Sequence, residues 1–112
     1  MAFTKDEGAF ITLDEGSRMT AEFRNTINPG DTIAHAVGAN LVNAILNQDG
    51  CNGIRMYYAL DENGNKQLVM VGVDANGDDI TSGYIVDKTL PCPAVWAPCC
   101  CTCQTSRVHR YR

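Results

Sequence analysis

The chain has 112 residues, 45% of them hydrophobic and 20% charged, which describes one ordinary soluble domain able to bury a modest core and excludes a second domain. Its formal charge is −4, and three of its nine basic residues lie in the last six positions, so residues 1–106 hold six basic against thirteen acidic groups, a net −7. That balance argues against nucleic acid or an anionic membrane as partner of the body, because phosphate contacts need clustered Lys and Arg.

Residues 1–11 read as an irregular or briefly extended lead. They carry no basic region followed by an apolar run, and no stretch approaches the ~20 apolar residues of a membrane span. The expected compartment is therefore the cytoplasm, with export read from elsewhere in the chain left open. Thr12-Leu-Asp-Glu15 fits a capping box, so a helix is expected from there, with Met19, Phe23 and Ile27 as its apolar stripe and Asn28-Pro29-Gly30 as its stop. Asp31 or Thr32 then caps a second expected helix to about Asn47, carrying the i, i+4 ladder Ile33, Val37, Leu41 and Ile45. Gly38 falls in mid-helix on this reading, at a cost of roughly 1 kcal/mol against alanine.

Residues 53–60 and 67–74 are rich in aromatic and β-branched side chains and flank a polar stretch containing Asn63-Gly64. This is the pattern of an antiparallel hairpin. A further turn at 75–79 returns the chain into a third strand near 84–88. The fold class expected is α+β: two N-terminal helices packed on a three-stranded antiparallel meander over residues 1–90, followed by a cysteine- and proline-rich tail over 91–112.

The run Ile45-Leu-Asn-Gln48, Gly50-Cys51, Gly53-Ile-Arg55, Tyr57-Tyr-Ala-Leu60, Leu68-Val69, Val71-Gly-Val-Asp74 and Asp78-Asp79 resembles a group of small stand-alone bacterial proteins of about this length. The resemblance spans residues 10–93, through a second helix containing His35 and Gly38 to Cys92-Pro93. It supports the domain boundaries and implies no activity. The ending Cys99-Cys-Cys-Thr-Cys103 and the basic segment from Arg107 to Arg112 depart from that pattern.

Five of the six cysteines, Cys92, Cys99, Cys100, Cys101 and Cys103, fall within twelve residues. Thiolates favour zinc and copper(I), and Cys100-x-x-Cys103 has knuckle spacing, with Cys92 and Cys99 available to complete four ligands. Disulfides compete for the same sulfurs: adjacent cysteines rarely pair with each other, so Cys99, Cys100, Cys101 and Cys103 would bridge outward to Cys51, to Cys92 or to another copy. Free thiols complete the alternatives.

Asp74, Asn76 and Asp78 alternate like the opening of a calcium loop, but Gly77 is misplaced and Ile85 stands where a closing glutamate belongs. Asp61, Asn63 and Asn65 fail in the same way, and turn chemistry is the better reading of both. His35 and Cys51 lie some four turns apart along the expected helix, roughly 24 Å, too far for a nucleophile and its base. Arg55 opens the first strand, where Asp74 or Asp79 is expected to face it in an ion pair. No catalytic constellation emerges. The expectation is a non-enzymatic interaction protein forming a homo-oligomer or filament through open sheet edges, its tail cysteines locking subunits; the alternative is a zinc or copper binder through Cys92, Cys99, Cys100 and Cys103.

Overall fold

A computed structural model describes residues 2–92. The elements are α1 (Leu13–Arg24), β1 (Ala34–Ala36), α2 (Ala39–Leu46), β2 (Cys51–Leu60), β3 (Lys66–Asp74), β4 (Ile85–Val86) and β5 (Leu90–Cys92). Strands β2, β3 and β4 form an antiparallel meander, and β1 pairs with β5 in a separate two-stranded sheet. The α+β class stands, with two helices and a three-stranded antiparallel sheet. None of the helices among the described residues is long and apolar enough to cross a membrane.

Two compact units divide the chain. One comprises residues 2–8 and His35–Leu90. The other comprises Ala9–Ala34, with Pro91 and Cys92 among the described residues.

In the Ala9–Ala34 unit, Thr12 caps α1 as its sequence predicts: the hydroxyl accepts the Glu15 amide at 3.1 Å, and the Thr12 carbonyl accepts the amide of Gly16. The helix ends before the Asn28-Pro29 stop, because the Thr26 hydroxyl and amide both bond to the Phe23 carbonyl and close the last turn locally. Asp31 does not cap a following helix. Its carboxylate accepts the Asn28 amide at 3.0 Å across a turn in which Gly30 adopts φ 90°.

The core belongs to the other unit and gathers Ile45, Cys51, Met70 and Val86, with Val37, Val42, Ile54 and Ile80 packed against them. Helix α2 lies on β2 and β3. It is half the length expected. Residues 34–36, assigned to this helix from their apolar spacing, are strand β1, and Gly38 is the N-cap instead of a mid-helix glycine. Its φ of −70° and ψ of 146° are extended, and its carbonyl accepts the amides of Leu41 and Val42. Strand pairing overrides the helical period here, which is the ordinary outcome when tertiary partners compete with local propensity. The ladder breaks accordingly: Ile45 is fully buried, whereas Leu41 is about half exposed.

The hairpin register runs from Leu60 opposite Lys66 to Gly53 opposite Val73, with an irregularity only between Cys51 and Gly53. The lead is irregular, as expected, yet anchored. The Phe3 amide donates to the Ala75 carbonyl at 2.9 Å, Asn52 donates to the Phe3 carbonyl at 2.8 Å, and the Phe3 ring lies where a Cβ on Gly53 would meet it at 2.8 Å. Gly53 is thus the residue that lets an aromatic ring lie on the start of the sheet.

Candidate functional site

The two polar turns of the meander are copies of one device. Asp61 Oδ1 accepts the amides of Asn63 and Asn65, and Asp74 Oδ1 accepts those of Asn76 and Asp78, all at 2.9–3.0 Å. Backbone bonds repeat too, from Gly64 to Asp61 and from Gly77 to Asp74, with φ of 81° and 84° at the two glycines. The Asn65 and Asn63 amides hold the Asp61 carboxyl below its ordinary range. In both loops the carboxylate is spent on the chain's own amides, which is turn chemistry.

The second turn delivers Asp79 to the sheet, where it forms a bridge with Val73. Its carboxylate accepts from the Tyr57 hydroxyl on one oxygen and from the Arg55 guanidinium on the other, and Arg55 also donates to the Gly77 carbonyl at 3.1 Å. Of the two carboxylates proposed for Arg55, Asp79 is the partner. The Tyr57 hydroxyl and then the Arg55 charge hold Asp79 below the usual carboxylate range. The cluster ties the turn to β2.

His35 is on a strand, so the helical distance estimated between it and Cys51 does not apply. Its Nδ1 lies 3.0 Å from the hydroxyl of buried Thr89, and burial lowers its pKa. Cys51, a disulfide candidate from sequence, carries a free and buried thiol that donates to the Gly53 carbonyl at 3.2 Å. Its sulfur lies 3.0 Å from where a Cβ on Gly72 would stand. Cys92 is buried at the end of β5. The other sulfurs proposed as metal ligands or bridges, Cys99, Cys100, Cys101 and Cys103, lie outside the described residues. Among the described residues, no three His, Cys, Asp or Glu side chains gather to hold a metal ion.

Gln48 is the residue that sequence reasoning overlooked. From the end of α2 its side chain donates to the Ile45 carbonyl at 2.9 Å and accepts the Tyr84 amide at 2.8 Å. It fills the space left by two glycines: a Cβ on Gly72 would lie 3.0 Å from its Nε2 and one on Gly83 1.8 Å from its Oε1. Gln48, Cys51 and Gly72 thus meet in space.

Among the described residues, β2 and β4 are the two borders of the three-stranded sheet. Its two edges differ. On one side β4 has only two residues and is followed by Asp87 and Lys88; on the other β2 runs for ten residues. Beyond the bulge at its start, β2 contains no proline, lysine or acidic residue. Met56, Tyr57, Tyr58 and Leu60 stand 57%, 45%, 96% and 71% exposed along it. Short edges, charges and bulges are the usual means of discouraging strand addition; β2 has a bulge at its start and the charge of Arg55 but is long, whereas β4 is short and followed by two charged residues.

No family model matches the chain, and no curated protein or solved structure matches it either.

Proposed function

We propose that this chain is a non-enzymatic structural or interaction protein that associates with itself, with the cysteines at 99–103 locking or ordering the subunits. The single observation that supports this reading is the long apolar edge of β2. Its outward amides and carbonyls, unpaired by any strand among the described residues, offer a template for a further strand, and its exposed aromatic and aliphatic side chains gain by leaving water. The polar clusters of the sheet favour the same reading, since the carboxylates of Asp61, Asp74 and Asp79 are all committed to bonds within the chain.

Light scattering coupled to size exclusion, with and without reductant, tests the proposal. The expected result is a species of at least two chains, with higher assemblies that collapse under reductant. A monomer at all concentrations contradicts it, and a monomer that retains stoichiometric zinc or copper by elemental analysis supports a soft-metal protein instead.

A further inference from the structure

We infer that the His35–Thr89 hydrogen bond is a proton-operated latch, which holds residues 87–90 against β1 and, when the imidazole is protonated, lets them part to open an apolar cleft. The latch acts within a single copy and needs no self-association.

The cleft measures about 270 Å³. Ala36, Val37, Gly38 and Leu41 line it from the passage between β1 and α2, and residues 87–90 line it from the approach to β5. Thr89 is buried in the second segment, whereas Asp87, Lys88 and Leu90 are exposed. Among the described residues, the 3.0 Å bond between its hydroxyl and His35 Nδ1 is the one side-chain hydrogen bond joining the two segments. Lys88, just before it, has φ 57°, a left-handed conformation that is costly for a residue with a Cβ. A backbone held there by its surroundings can return to ordinary φ once the restraint is gone, which makes Lys88 the hinge.

The direction of the bond decides its response to acid. Thr89 is 5% exposed, and Nδ1 is the acceptor that its hydroxyl meets among the described residues. The hydroxyl proton is satisfied when the neutral ring carries its hydrogen on Nε2 and accepts on Nδ1. Protonation places a hydrogen on Nδ1 as well. The ring can then only donate, and the Thr89 proton is left without an acceptor in a buried site.

No neighbouring charge opposes this response. β1, α2 and β5 carry no charged side chain besides His35 itself, and Asp87 and Lys88 are exposed and opposite in sign. Cys92 lies toward the other end of the ribbon, where its carbonyl accepts the Ile33 amide at 2.7 Å. Burial lowers the imidazole's pKa in the closed form. The open form, with the ring in water near its ordinary 6.5, binds the proton more readily, so acid favours opening.

NMR from pH 7.5 to 5 tests the latch, reading imidazole nitrogen shifts and amide protection factors in the wild type, His35→Gln and Thr89→Val. In the wild type Nδ1 should carry no hydrogen at pH 7.5. The protected amides of residues 35–37 and 89–90 should lose about tenfold in protection as His35 titrates, while Ile33 and residues 70–73 keep theirs. His35→Gln, whose side-chain oxygen can accept from Thr89 but takes up no proton, should stay closed at pH 5. Thr89→Val removes the donor and should show at pH 7.5 the weaker protection that the wild type reaches in acid. The wild-type titration decides the matter whether or not a variant folds. A hydrogen on Nδ1 at pH 7.5, protection indifferent to the His35 titration, a loss shared equally by residues 70–73, or a His35→Gln that opens like the wild type overturns the latch.

Discussion

Gly83 stands so close to Gln48 that a methyl group at position 83 would meet the Gln48 side-chain oxygen at 1.8 Å. That oxygen is the acceptor for the Tyr84 amide, so the absence of a side chain at one residue is what permits the bond at its neighbour. Because Gln48 is flexible at its far end, Gly83→Ala should displace it instead of deforming the backbone. The cost is then the loss of Gln48's bonds, about 0.5–1.5 kcal/mol. Gln48→Ala should cost a similar amount, and the double variant no more than either single one, read from urea midpoints. Additive losses would mean that the two residues act independently.

The matched turns yield a matched pair of effects. Gly64 and Gly77 both occupy the left-handed region inside the same hydrogen-bond pattern. Gly64→Ala and Gly77→Ala should each destabilise by roughly 1–2 kcal/mol, the cost of that conformation for a residue with a Cβ. Replacement by asparagine, which tolerates it, should cost less at both sites in the same thermal melts.

The Asp79 cluster predicts how acid weakens the fold. Tyr57 and Arg55 depress the carboxyl's folded pKa below its unfolded value. Its contribution is therefore complete above the unfolded value, near 4, and is lost as pH falls through the lower folded one. Asp79→Asn should be less stable than wild type at neutral pH, and the gap between them should close as pH drops from about 5 toward 2 in denaturant titrations. A gap constant over that range would remove the ionised carboxylate from the explanation.

His35 acts in a higher window. Burial lowers its folded pKa, so the folded state binds a proton less readily than the unfolded chain, whose imidazole titrates near 6.5. Stability from this group is full above about 6.5 and declines as pH falls through the folded pKa. His35→Gln should flatten the stability profile between pH 7.5 and 5, and equal slopes for variant and wild type would contradict the assignment.

Much of the meander was legible because its signals are local. Aromatic and β-branched residues and the Asn63-Gly64 turn placed the hairpin at 53–60 and 67–74, against Cys51–Leu60 and Lys66–Asp74 in the fold. Thr12 and Glu15 likewise marked the start of α1. The second helix was misread because Ile33, Val37, Leu41 and Ile45 satisfy a helical period, while the partner that makes residues 34–36 a strand lies at 90–92. Pro91 hides that partner, since it argues against a strand and is accommodated only in a two-stranded ribbon with edges to spare. Asp79 was foreseen as one of two partners for Arg55. Gln48 was not, because a polar residue at a helix end reads as solvated until Gly72 and Gly83 bring the sheet and the following loop to it.

The account turns on whether the outer border of β2 is covered in solution. Amide hydrogen exchange across residues 53–60, followed in reductant from low to high protein concentration, measures that cover residue by residue. The account predicts that exchange at alternate β2 amides slows as concentration rises while amides in the middle strand β3 stay constant. Exchange along β2 that is independent of concentration would contradict it.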